Sequence, residues 1–258
     1  MALTPDASRI EPELIADYAC VIGEGPLWHP LEQRLYWIDI ATGRIFRYDP
    51  QADLAKETPP HEQCYQGDVI GGFTIQADGA LLLFMAKGAI KLWHYDQSEL
   101  TPVVNEIPEE RDTHFNDVIA DPVGRVLCGT MGTPTRSGRL YCLDRDGTLT
   151  ERFDGVGVSN GMGFSPDLKY LYYTDSGKRT IYRFDYDPDT GTLTNLADTP
   201  IFIQTPEGEG VPDGLTVDTE GYIWSARWDG GCLVRYTPEG VEDLRIAFPA
   251  KKVSSVTF

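Results

Sequence analysis

Asp213-Gly214-Leu215-Thr216-Val217-Asp218-Thr219-Glu220-Gly221-Tyr222-Ile223 is the stretch on which the reading of this chain turns, because it occurs again and again. Gly71-Gly72-Phe73-Thr74-Ile75-Gln76-Ala77-Asp78-Gly79-Ala80-Leu81 repeats it without a gap. So does Asn116-Asp117-Val118-Ile119-Ala120-Asp121-Pro122-Val123-Gly124-Arg125-Val126. With a slightly longer turn, Asn160 through Leu171 and Glu24 through Leu35 fit the same frame. The leading positions 24, 71, 116, 160 and 213 lie roughly 44 to 53 residues apart, the length of a four-stranded propeller blade.

Between these landmarks, short runs of branched and aromatic residues alternate with turns. Leu35-Tyr36-Trp37-Ile38 precedes Ile45-Phe46-Arg47-Tyr48, and Leu171-Tyr172-Tyr173 precedes Ile181-Tyr182-Arg183-Phe184. Such pairs read as hairpins, and apolar residues on both strand faces fit sheets packed on either side. A solenoid is the alternative; strand-only content and the long period favour the propeller. A sixth repeat opens at Ser254-Ser255-Val256-Thr257-Phe258, where the sequence ends. The expectation is an all-β, six-bladed β-propeller occupying residues 1–258 as one domain. Its last blade is incomplete at the C-terminus, as if the chain were cut short there, with Glu13-Leu14-Ile15-Ala16-Asp17-Tyr18 supplying one of that blade's strands.

Net charge is −18, which argues against a nucleic-acid backbone or an anionic membrane as partner. No apolar run is long enough to span a bilayer, and Met1-Ala2-Leu3-Thr4-Pro5-Asp6 lacks a signal-peptide core. The five cysteines, Cys20, Cys64, Cys128, Cys142 and Cys232, contain no C-x-x-C pair and suit a reducing cytoplasm. Cys128 and Cys142 could be near neighbours.

In a propeller, the leading position of each repeat starts an innermost strand, so equivalent residues ring the axis. That ring reads Glu24, Gly71, Asn116, Asn160, Asp213 and Ser254. Two carboxylates and two amides at one level make an oxygen-rich cage suited to a hard or borderline divalent cation. Taken singly, Asn160-Gly161, Asp213-Gly214 and Asn116-Asp117 read as turns. Glu24 does not, and coincidence in phase favours the ring. Asp78, Asp121 and Asp218 recur at a turn and read as capping acids; His29 shares their phase and reads as structural. Thr205-Pro206-Glu207-Gly208-Glu209-Gly210 leads into Asp213 and reads as a surface loop, with a lid over the channel as the alternative.

Gly23-Glu24-Gly25-Pro26-Leu27-Trp28, Phe115-Asn116-Asp117 with Gly129-Thr130-Met131, Ser159-Asn160-Gly161 and Pro212-Asp213-Gly214 together resemble the family of senescence marker protein (regucalcin), gluconolactonase and luciferin-regenerating enzyme. The resemblance runs from about Glu13 to Phe258 and implies a six-bladed propeller that hydrolyses sugar lactones at one divalent metal. It implies Glu24, Asn160 and Asp213 as metal ligands, and Asn116 as a contact to substrate or to a metal-bound water. Where relatives often carry Arg two residues before that Asn, this chain has His114. Where some carry Glu after the Gly-Thr-Met segment, Gly132-Thr133-Pro134-Thr135-Arg136 offers none. Both departures bear on substrate preference.

The resulting expectation is a lactonase in which Asp213 also acts as the base and Asn116 and His114 bind sugar hydroxyls. Its cofactor is one divalent ion, with Ca, Zn, Mn, Mg and Fe all open, and its partner a small sugar lactone. Two rivals remain at this point: a hydrolase of another ester or a phosphotriester, and a calcium- or ligand-binding propeller without turnover.

Overall fold

Each repeat closes into its own antiparallel sheet. The structure is a computed structural model that describes residues 10–52, 59–95, 97, 99–196 and 201–258. The first blade holds β1 (Gly23–His29), β2 (Arg34–Asp39), β3 (Arg44–Tyr48) and β4 (His61–Gln66) in sequential order. The second holds β5 (Ile70–Ile75), β6 (Leu81–Met85), β7 (Ile90–Trp93) and β8 (Thr101–Val104). The third holds β9 (Phe115–Ala120), β10 (Val126–Thr130), β11 (Gly138–Leu143) and β12 (Leu149–Val156). In the fourth, β13 (Ser159–Phe164), β14 (Tyr170–Asp175), β15 (Thr180–Asp187) and β16 (Thr192–Thr194) are joined by β17 (Ile201–Gln204), which also pairs with β15. The fifth holds β18 (Val211–Val217), β19 (Ile223–Trp228), β20 (Cys232–Tyr236) and β21 (Glu242–Ala247).

The propeller therefore has five blades, and the expectation of six is corrected. Among the described residues no sixth sheet forms. The segment expected to begin it lies in place without becoming a strand: Gly214 N donates to Ser254 O at 2.7 Å, and Ser254 Oγ donates to Gly23 O at 2.5 Å. Ser254 thus sits between β18 and β1, where its phase puts it, but with no second strand beside it no ladder develops. The N-terminal segment is corrected too. Residues 13–18 form no strand; Tyr18 instead stacks on Phe46 at 4.4 Å between ring centroids and meets His61 Nδ1 at 2.9 Å, so this segment caps the first blade. Residues 1–9, which carry the reading of the N-terminus, lie outside the described residues. No helix among the described residues is long and apolar enough to cross a membrane.

Apolar side chains fill the spaces between blades, which is why both strand faces are hydrophobic. Ile38, Phe73 and Leu83 pack between the first and second blades, Phe84, Phe115 and Val126 between the second and third, and Leu140, Met162 and Leu171 between the third and fourth. Ile181, Leu215 and Val234 continue the series between the fourth and fifth. Cys128 and Cys142 pair with Tyr141 and Leu127 respectively, so their thiols occupy opposite faces of the third blade, and both are free.

The recurring turn acids cap as their phase suggests. Asp78 Oδ1 accepts from Ala80 N at 3.0 Å, and Asp218 Oδ1 from Tyr222 N at 2.9 Å. Asp121 does more. Its Oδ2 accepts from Arg125 Nε at 2.5 Å and Tyr186 OH at 2.8 Å, while Arg125 continues to Pro188 O at 2.5 Å and Asp189 O at 3.1 Å. This buried pair bolts the third blade to the fourth. Burial works to raise the Asp121 carboxyl, but the bonds from Arg125 and Tyr186 outweigh it and hold it below its ordinary value.

Asp121→Asn keeps the shape and strands the Arg125 charge, so it is expected to lower the unfolding free energy by about 3 kcal/mol in urea titrations followed by tryptophan fluorescence. A carboxyl with a depressed folded pKa stabilises at neutral pH and loses that contribution as pH falls through the depressed value. The difference between the two proteins should therefore shrink in acid.

Candidate functional site on the propeller axis

All five innermost strands break register at the same point. The irregularity falls between Glu24 and Leu27 in β1, Ile70 and Gly72 in β5, Ser159 and Met162 in β13, and Pro212 and Leu215 in β18. In the third blade it falls between Cys128 and Thr130, opposite the start of β9. A bulge adds twist and re-aims a side chain, and here it does so at the leading residue of each repeat. The next residue is Gly25, Gly72, Gly161 or Gly214 in four blades and Asp117 in the third. Glycine answers a close approach: a Cβ on Gly161 would stand 2.1 Å from Leu215 N, and one on Gly71 1.6 Å from Phe115 O. Gly71 is thus a packing position within the ring rather than a ligand.

The other leading residues converge as read. Glu24, Asn160 and Asp213 are 6%, 5% and 5% exposed, and Asn116 is 9%. Asn160 Nδ2 donates to Asp213 Oδ1, and to Ser176 Oγ at 3.1 Å. Ser176 Oγ donates its own hydrogen to Pro212 O at 2.6 Å. Its hydroxyl can therefore only accept from Asn160, which fixes the amide with nitrogen toward Ser176. Asn116 Nδ2 donates to Ser159 O at 2.8 Å, leaving Oδ1 as its open acceptor. His114 Nδ1 lies 2.5 Å from Phe115 O; a carbonyl only accepts, so Nδ1 carries the hydrogen.

These groups face a cavity of about 370 Å³, and three phases of the repeat account for every residue that lines it. The leading residues Glu24, Asn116, Asn160 and Asp213 make its polar floor. Two positions earlier in each repeat come Ile22, His114, Val158 and Val211. At or just past the end of each second strand come Ile40, Met131, Ser176 and Trp228. The last two sets are paired across the hairpins: Ile40 N donates to Ile22 O at 3.0 Å, Met131 N to His114 O at 3.3 Å, and Ser176 N to Val158 O at 3.0 Å. Val211 and Trp228 are register partners.

The floor carries uncompensated charge. Glu24 accepts from Gly25 N at 3.2 Å and from the Ser255 hydroxyl, and Asp213 from Asn160; neither forms an ion pair among the described residues. Burial, then the Asp213 and Asp117 carboxylates, push the Glu24 carboxyl well above its ordinary value. Burial and Asp117 do the same to Asp213, against the Asn160 bond. Among the described residues no three His, Cys, Asp or Glu side chains converge as a metal cluster; the convergent donors are two carboxylates and an amide. An oxygen donor set with excess buried negative charge fits a divalent cation by its chemistry.

Ser176 and Asp117 escaped the sequence reading. Ser176 is recoverable, since it shares a phase with Ile40, Met131 and Trp228. Asp117 is marked as the one side chain in a phase that is glycine in the other four blades. It lines a second cavity of about 390 Å³ on the other side of the ring, with Trp28, Phe73, Met162 and Leu215, and burial pushes its carboxyl up to about 7.

Residues 22–258 match the model of the SMP-30/Gluconolactonase/LRE-like region. A pentonolactonase of Haloferax volcanii is 48% identical over 245 residues, covering 95% of this chain and 79% of the relative. Among solved structures, a luciferin-regenerating enzyme superposes with a TM-score of 0.82 at 26% identity, over 93% of this chain and 80% of that one. A calcium-binding protein, regucalcin, from Agrobacterium tumefaciens gives a TM-score of 0.81 at 25% identity, over 92% and 77%.

Proposed function

The chain belongs to the SMP-30/gluconolactonase/LRE-like family, and from that premise we propose that it hydrolyses a sugar lactone at a divalent cation held by Glu24, Asn160 and Asp213. The observation that carries this reading is the pair of buried, unpaired carboxylates on the floor of the axial cavity. The names of the relatives support it: one is a pentonolactonase, another a calcium-binding regucalcin.

A cation in that set supplies Lewis acidity toward a lactone carbonyl and lowers the pKa of water. The chain's own groups do the rest. Asp213 keeps Oδ2 free of the Asn160 bond, and there it takes the proton of the attacking water as general base. Asn116 offers Oδ1 to one substrate hydroxyl, and His114 offers Nε2 to another, each held by a backbone carbonyl on its other side. The floor residues are buried among apolar walls, which strengthens each of these contacts. The ring opens to a hydroxy acid. The oxygen donors accommodate calcium, magnesium, manganese, iron or zinc. Five free thiols fit a reducing, cytoplasmic setting.

Asp213→Asn is expected to lower aldonolactone opening by roughly 10²- to 10⁴-fold in a proton-release assay with added divalent cations. Glu24→Gln should weaken cation binding and slow the same reaction. Undiminished rates in both variants would end the proposal, and cation-dependent melting with no lactone turnover would favour a binding propeller instead. Ser176→Ala removes the acceptor that orients Asn160. It should leave the circular dichroism unchanged while weakening cation binding by about 10- to 100-fold in calorimetric titration.

A further inference from the structure

The walls of the axial cavity are unevenly polar. On the third and fourth blades they present His114 and Ser176, interleaved with Met131 and Val158, beside Asn116 and Asn160. On the first and fifth blades they present Ile22, Ile40, Val211 and Trp228, with no hydrogen-bonding group except the Trp228 indole N–H. Among the described residues no Lys or Arg lines the cavity, so no permanently cationic side chain there would pair with a phosphate or carboxylate carried by a substrate.

A lactone seated with its carbonyl at the floor has one edge against each side. Its ring hydroxyls find acceptors toward His114 and Asn116. The substituent at the opposite edge lies against four apolar side chains, where a hydroxyl would surrender its water and gain no acceptor, at a cost that an apolar substituent avoids. Resting on the lactonase reading, we infer that this protein prefers neutral aldonolactones whose exocyclic end is a methyl group, the lactones of 6-deoxy sugars, over those ending in hydroxymethyl. Ile22, Ile40, Val211 and Trp228 are the specificity-determining residues.

Two matched pairs test this, each differing only at the exocyclic carbon: L-rhamnono- against L-mannono-1,5-lactone, and L-fucono- against L-galactono-1,5-lactone, each formed freshly from the aldose. The deoxy member is expected to have the higher kcat/KM in both pairs, by about 10-fold or more, the scale set by one unsatisfied hydroxyl in an apolar pocket. Val211→Thr, nearly isosteric, places an acceptor on the apolar side and should shrink the ratio in both pairs through the hydroxymethyl member. Equal or reversed ratios in the wild type, with turnover intact, overturn the inference and leave the lactonase reading standing. A preference that Val211→Thr and Ile22→Thr both leave unmoved overturns the assignment to this wall. Turnover of none of the four lactones removes the lactonase reading and this inference with it.

Discussion

Five inner strands crowd around one axis, and the closeness of their approach governs the rest of the molecule. Where β5 meets β9 and β13 meets β18, the backbones come so near that only glycine fits at the contact. The same crowding coincides with a register break in every inner strand. The break turns the leading residue of each repeat toward the axis, so one packing constraint, applied five times, builds a ring of functional side chains. Larger side chains are excluded beside the ring, and polar ones are concentrated on it.

That concentration is electrostatically unfavourable in the protein alone. Glu24 is buried against the charges of Asp213 and Asp117, and Asp213 against that of Asp117, and among the described residues no cationic side chain answers them. Elsewhere the protein does neutralise its buried acids: Asp121 has Arg125, Asp39 has Arg44, and Glu110 has Arg136 and Arg139. Among the described residues the axial pair has no such partner, and a buried carboxylate without one is costly unless a proton or a cation supplies the missing charge.

The two sides of the ring differ accordingly. One side carries the polar floor, the fixed amides of Asn116 and Asn160, and walls that grade from polar to apolar around the axis. The other is lined by Asp117 and the hydroxyl residues Thr74, Thr216, Ser255 and Thr257 among Trp28, Phe73, Met162 and Leu215.

The sequence by itself determined the blade, the phase of the repeat and therefore which residues stand on the axis. Local patterning suffices for that, because strand alternation and turn spacing are written residue by residue, and equivalent positions in equivalent blades must point alike. It also marked Ser254 as a ring residue, and the chain places Ser254 there. Only the tertiary structure showed that residues 254–258 lie beside β18 without forming a sheet, because the hydrogen bonds of Ser254 tie it to its neighbours without making a ladder. The N-terminal residues 13–18 likewise went to the first blade, since Phe46 and His61 offered Tyr18 a stacked ring and a hydrogen bond that no strand pairing matched. Ser176 was legible in the repeat phase, but the graded wall was beyond local reading. A side chain's neighbours across an axis are set by how the blades close, and closure is a property of the whole ring.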